Sequence, residues 1–254
     1  MKTIVCYKSV ADSESIKVAR DRTLDMSEVQ YEIGQYDLRA VEAGMQLAAK
    51  TGGEVIALTA AGEMASNSKM KKAILARGPQ EMFGIQDTSL DSADTMAVAA
   101  VLKAGVEKIG CDLVLCGEGS GDMYAQQTGN ILGGMLGWST INAVCEIEPT
   151  GEATLRVKRV VGDGVETLDI TLPAVISVTG DINVPRIPTM KDIMGAGKKP
   201  STIWSLADIG ASVVATTKTE SVLAPEATER KRIILEGGSD EALDEFAAYL
   251  KKAL

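Results

Sequence analysis

The chain has 254 residues, of which 45% are hydrophobic and 24% charged, enough to bury a sizeable core in one large domain with an appendage. A formal net charge of −9 and an aromatic content of 4% exclude the basic footprint and the stacking platform of a nucleic-acid binder, and give no attraction to an anionic membrane. Histidine is absent, which removes Ser-His-Asp triads, histidine general bases and histidine-containing zinc sites.

In chain order, Thr3–Tyr7 is a short apolar, β-branched run that reads as a strand. Residues 8–34 are polar and irregular, with a small hairpin around Ile16–Val18 and Leu24–Met26. Residues 36–50 place Leu38, Val41, Met45 and Ala48 on one helical face, and Gly52-Gly53 ends that helix. Glu54–Thr59 reads as a buried strand, residues 64–77 as an amphipathic helix, and Glu81–Gln86 as a weaker strand. Residues 93–109 carry a stripe of Val98, Leu102, Val106 and Ile109, capped by Gly110, and Asp112–Cys116 is the clearest strand. A helix is predicted over about 123–136. This alternation implies right-handed crossovers and a doubly wound, mostly parallel sheet of the Rossmann-like α/β class. After Trp138, residues 139–148, 154–161, 165–171 and 174–179 read as strands of an antiparallel extension.

Regular patterning stops near residue 181. Asn183–Pro200 contains prolines and a basic cluster of Lys191, Lys198 and Lys199; residues 205–236 read as an extended arm; a final helix is predicted over Asp240–Leu254, capped by Ser239 or Asp240. An arm of this length cannot build its own core, so it wraps either this chain's surface or a partner subunit. The alternating RVKR stretch (Arg156–Arg159) reads as a solvated strand face. Met190 is an apolar side chain in a proline-rich, exposed-looking loop, either a docking anchor or tucked into its own domain.

The four cysteines, Cys6, Cys111, Cys116 and Cys145, form no CxxC pair and read as small buried hydrophobes, so a reducing, cytoplasmic setting is expected. The N-terminus enters a strand at once, without a basic flank or long apolar stretch, so neither signal peptide nor membrane insertion is expected.

The segment with chemical promise is Gly117 to Gly129 (GEGSGDMYAQQTG). It follows the strongest strand and enters a helix, the place where open parallel sheets bind ligands. Glycines admit backbone N–H groups to an anion, the helix start adds a positive dipole end, and Gln126, Gln127 and Thr128 add neutral donors. The pattern is neither a P-loop, nor the dinucleotide fingerprint, nor a G-x-S-x-G elbow, and Ser120 has no histidine to activate it. A phosphate cradle and a plain strand-to-helix turn both remain open on the residues alone. Asp122 reads as a helix N-cap, with no lysine obviously paired to it. No residue is assigned a catalytic or metal-binding role.

Several stretches together resemble the β (small) subunit of electron-transfer flavoproteins: the opening TIVCYKSV, Gly34-Gln-Tyr-Asp37 entering a helix with Glu42, the QTG end of the cradle, Val157/Arg159 with Glu166–Leu168 and Leu172–Val175, and Asn183, Pro185, Arg186, Met190, Ile193, Met194, Lys198 and Lys199. The Tyr-Ala-Gln-Gln run after Asp122 and the IWSLADIG segment are similar to the Fix/carnitine-pathway branch. The resemblance implies a heterodimer with an α subunit that carries FAD, serving acyl-CoA dehydrogenases as an electron carrier rather than as a catalyst alone. It implies AMP, or a second FAD in bifurcating members, in this subunit. The residues matching the nucleotide site are Cys6, Gly34, Gln35, Tyr36, Asp37, Ala60, Gly117, Gly119, Ser120, Gly121, Asp122, Tyr124, Ala125, Gln126, Gln127 and Thr128. The resemblance further divides the chain into a nucleotide-binding domain (1–180), a partner-docking loop (181–204) bearing Ile187, Met190 and Ile193, and a C-terminal arm and helix (205–254) that embraces the α subunit. Two other classes, a stand-alone adenine-nucleotide sensor and a nucleotide hydrolase, are disfavoured by the long arm and by the absence of histidine and an obvious metal cluster.

Overall fold

The computed structural model describes residues 1–226 and 232–253. Strand β1 (Lys2–Cys6) is followed by four short strands, β2 (Ser9–Ala11), β3 (Lys17–Val18), β4 (Leu24–Asp25) and β5 (Tyr31–Ile33), which form two small antiparallel pairs, β2 with β5 and β3 with β4. The α/β alternation then runs through α1 (Gln35–Thr51), β6 (Glu54–Ala61), α2 (Ser68–Leu75), β7 (Glu81–Gln86), α3 (Thr95–Ile109), β8 (Leu113–Gly117) and α4 (Thr128–Leu136). Strands β9 (Ser139–Pro149), β10 (Thr154–Val161), β11 (Gly164–Thr171) and β12 (Ala174–Val178) follow, then α5 (Met190–Ala196), β13 (Ser201–Trp204) and α6 (Asp240–Ala253).

One nine-stranded sheet, in the order β11-β10-β9-β12-β8-β1-β6-β7-β13, gathers all the longer strands. The strands pair in parallel from β9 to β13, and only the β9-β10-β11 meander is antiparallel. The doubly wound Rossmann-like expectation therefore holds, with two changes. β12 is not part of the antiparallel extension: it lies between β8 and β9 and is parallel to both. Its sequence AVISV is buried at every position, the mark of an interior parallel strand rather than of a half-solvated one. Ser201–Trp204 is not loop: β13 closes the far edge of the sheet against β7.

Alternation along the central strands builds a core on each face. Val5, Ala57, Leu115 and Ile176 join Val41, Leu47, Ile74 and Leu75 of α1 and α2. Ile4, Leu58, Val114 and Val175 join Val101, Leu102, Val106 and Leu132 of α3 and α4. The residue at 44 has to be small, because a Cβ on Gly44 would stand 3.0 Å from Val5; its absence lets α1 lie close on β1. Helix α1 ends at Gly52, whose φ of 68° is the left-handed cap glycine accepts without strain.

The second core extends past β13, where Leu206, Ile209, Ala211 and Val213 pack against it. Beyond that point the described residues only touch the body. Asp94, the N-cap of α3, accepts hydrogen bonds from the backbone and hydroxyls of Thr216 and Thr217, and Thr23 bridges Leu223. Among the described residues from 211 to 253 none is buried. Helix α6 leaves Leu243, Phe246 and Leu250, at helical spacing, 57%, 56% and 47% exposed. No helix among the described residues is long and apolar enough to cross a membrane.

Candidate functional site

Strand order in the sheet reverses between the parallel neighbours β1 and β8. From β1 the chain winds outward through β6 to β7; α3 then returns it to β8 on the other side of β1. A crevice at the carboxyl ends of strands where the order reverses is the expected ligand site of an open α/β sheet. Here it is bounded by residues 6–8 after β1, the start of α1, and the 117–128 segment after β8.

The first turn of α1 holds the two sides together. Asp37 is 8% exposed, and its Oδ2 accepts the backbone N–H of Lys8 at 2.8 Å; the backbone of Gly117 hydrogen-bonds it as well. Burial pushes the carboxyl up to about 7, and the nearby Asp122 adds to that; the two backbone donors and the charge of Lys8 act in the opposite direction. Gly117 is a position where only glycine fits: a Cβ would lie 2.7 Å from both Asp37 Oδ1 and Tyr36 Cβ. Cys6, also buried, has its thiol pushed up, first by a hydrogen bond with Cys116 and then by burial, so it forms a neutral floor. Cys111, which precedes β8, packs against the same core face as Cys116.

Aromatic rings and an ion pair shape the mouth. Tyr36 and Tyr124 have ring centroids 5.4 Å apart, tilted by 44°. Tyr124 Oη donates to Glu118 Oε1 at 3.1 Å, and the Tyr124 N–H to the Ser120 carbonyl at 3.0 Å. Lys8 Nζ donates to Asp122 Oδ2 at 2.6 Å. Asp122 thus has a lysine partner after all, one that the sequence did not single out, since the two lie 114 positions apart. Nor does Asp122 cap α4, which begins at Thr128 rather than near 123; its Oδ1 accepts from Met123 N–H. Tyr124 and Gln126 adopt φ of 42° and 56°, and two left-handed residues so close together are incompatible with a helix there.

The helix caps distinguish this place from the rest of the molecule. Helices α2, α3 and α5 start with side-chain caps, from Asn67, Asp94 and Thr189. Helices α1 and α4 start at Gly34 and Gln127 without one. These two helix starts belong to the same crevice, and their first-turn N–H groups are the donors a phosphate takes up. With the glycine turn for close approach and Lys8 at the rim, the site fits an anionic nucleotide.

A family model for the electron transfer flavoprotein domain matches residues 21–209. The chain belongs to that family. The matched span of this electron transfer flavoprotein domain runs from the β3–β4 hairpin to the turn after β13 and leaves out the exposed arm.

Of the expected site residues, the structure brings Cys6, Gly34 to Asp37 and Gly117 to Thr128 to one end of the sheet; Ala60 lies at the same end, on β6 beside β1. Gln35 and the run Gly121 to Gln127 are exposed. Of the docking residues, Ile187 and Met190 are 91% and 74% exposed and Ile193 45%. Lys8 is the residue the sequence reading missed. Its only signal was position, the first charge after β1.

Proposed function

We propose that this chain is the β (small) subunit of a heterodimeric electron-transfer flavoprotein of the Fix/carnitine-pathway type, holding AMP in the crevice between β1 and β8. The observation that carries this reading is the pair of helix starts without side-chain caps, α1 and α4, beside a glycine turn at the point where strand order reverses. Gly117, Gly119, Gly121 and the first turn of α4 would hold the phosphate; Cys6, Gly34 to Asp37, Ala60 and the Tyr36–Tyr124 pair would bound the rest of the nucleotide; Lys8 would add a cation at the rim.

The FAD of the α subunit supplies the redox chemistry when bound. This chain's part is to bind, orient and dock, in the cytoplasm. The arm supports that reading: residues 211–253 bury no described side chain, and α6 exposes one apolar face, as expected of a segment that embraces an α subunit. The exposed Ile187, Met190 and Ile193 support docking onto an acyl-CoA dehydrogenase.

The test is to denature the purified α/β complex and count released nucleotides by chromatography. One FAD and one AMP per heterodimer is the expected result. Two FAD and no AMP would make this the flavin-carrying subunit of a bifurcating complex. FAD alone at one per heterodimer would overturn the cradle assignment.

A further inference from the structure

The segment from β12 to β13 has to cross β8, β1, β6 and β7 to reach the far edge of the sheet, which is about 24 Å at the ordinary strand spacing. It does so as a strap over α1 and α2, and it is fixed at both ends. At its start, Arg186 donates to Glu42 of α1 from Nε at 2.6 Å, from Nη2 at 3.1 Å and from its backbone N–H at 3.2 Å, while Gln46 Nε2 donates to the same carboxylate at 3.1 Å. Glu42 is 7% exposed. Burial opposes its ionisation, yet the Arg186 and Gln46 hydrogen bonds outweigh it and hold the carboxyl below its ordinary value. One turn earlier on the helix, Asn183 Nδ2 donates to the Arg39 carbonyl at 3.0 Å, and Arg39 donates back to the Asn183 carbonyl.

At the strap's other end, Lys199 Nζ donates to the carbonyls of Leu75, Gly78 and Pro79 at 2.8, 3.1 and 2.7 Å, closing the end of α2. Ala196 is fully buried between the two anchors. Ile187, Met190, Ile193 and Met194, four of the five large apolar side chains that the strap shows to solvent, lie between Arg186 and Lys199; the fifth, Val184, sits between Asn183 and Arg186. The intervening backbone carries its own brace, a capping box between Thr189 and Asp192.

We propose that Glu42, through Arg186, and Lys199 are positioning residues for partner docking: they hold the strap in one arrangement, so that its exposed side chains meet the partner flavoenzyme already ordered. The inference rests on the docking reading above. An unanchored apolar loop would lose its ordering entropy on every encounter, and that cost would appear as weaker association rather than slower electron transfer.

The experiment uses the purified heterodimer as electron acceptor for an acyl-CoA dehydrogenase of the same organism, with Glu42→Gln, Lys199→Met and Met190→Ala as variants. Hydrogen exchange is followed for peptides within 183–198, with the β1, β6 and β8 peptides as internal controls. Glu42→Gln and Lys199→Met should each speed exchange in the strap about tenfold, leave the control peptides unchanged, and raise KM for the heterodimer by a similar factor at constant kcat. Met190→Ala should raise KM without loosening the strap. A strap that keeps its protection in both anchor variants, or one that loosens while KM stays the same, overturns the positioning role. If Met190→Ala also leaves KM unchanged, the docking reading itself falls. Lys199→Met, which frees the strap from the end of α2 rather than from α1, provides the same reading should one variant fail to fold.

Discussion

Asp37 makes the stability of this chain depend on pH in the direction opposite to an ordinary surface carboxylate. The folded carboxyl titrates near 7, raised by burial, against a value of 3.8 for the free side chain. Below about pH 4 both states carry the proton and nothing is lost. Between about 4 and 7 the unfolded chain releases its proton while the folded chain keeps it, so stability falls as pH rises; above 7 both are ionised and the loss is complete. Integrated from pH 5 to pH 8, those two values correspond to about 3 kcal/mol against the folded state.

The Asp37→Asn variant has no carboxyl to titrate at this position, so the difference in unfolding free energy between wild type and variant cancels most other titrating groups. Urea unfolding at pH 5, 6, 7 and 8 should show wild type losing about 3 kcal/mol relative to the variant across that range. A carboxyl carbon titration by NMR, with aspartate labelled, would report the same midpoint without any variant. A difference that stays flat with pH, or a wild type that gains on the variant as pH rises, would refute the reasoning: the backbone N–H groups of Lys8 and Gly117 would then outweigh burial and hold Asp37 ionised.

Three further outcomes are expected. Gly117→Ala drives a Cβ to 2.7 Å from Asp37 Oδ1 and 2.8 Å from the Tyr36 backbone carbon, so it should cost about 1–3 kcal/mol and empty the complex of AMP. Gly134→Ala, in α4 beyond the cradle and with nothing within 4 Å of its Cβ, should do neither; nucleotide content and urea melts read both. Lys8→Met breaks a half-exposed ion pair, so stability should change by less than about 1 kcal/mol, whereas calorimetric AMP affinity should fall and lose part of its salt dependence. Removing residues 240–254 should leave the thermal midpoint of the isolated chain unchanged, because α6 buries no described side chain, and should abolish co-purification with the α subunit.

The parallel half of the fold was legible because its signals are local. Strands such as Glu81–Gln86 and helices stopped by Gly52 and Gly110 announce themselves within a dozen residues. Pairing is a different matter. β13 has four residues and reaches the sheet only because Lys199 and Pro200 deliver it to β7, more than a hundred positions earlier in the chain. Nothing in Ser201–Trp204 alone separates it from a loop. β12 was misplaced for the opposite reason. Its unbroken apolar run carried the parallel-strand signal, but it follows three strands joined by short turns, and that context suggested one more antiparallel strand.

The site divides along the same line. Glycines and the strand-to-helix turn can be read from spacing, so Gly117 to Thr128 stood out. The start of α4 could not be read, because the left-handed residues that delay it are Tyr124 and Gln126 rather than glycines. Which polar groups remain without partners is invisible in a sequence, since it depends on every neighbour in space. Asp122 looked like a cap and is instead half of an ion pair with Lys8; Asp94, which caps α3, also anchors the arm through Thr216 and Thr217. The helix starts at α1 and α4 are the converse case: neither Gly34 nor Gln127 caps its helix with a side-chain hydrogen bond. Half-exposed helix-start N–H groups without a side-chain cap are open to water or to an anionic ligand. On α6 the unmatched surface is apolar instead: Leu243, Phe246 and Leu250 stand exposed at helical spacing, a periodicity that the sequence does show.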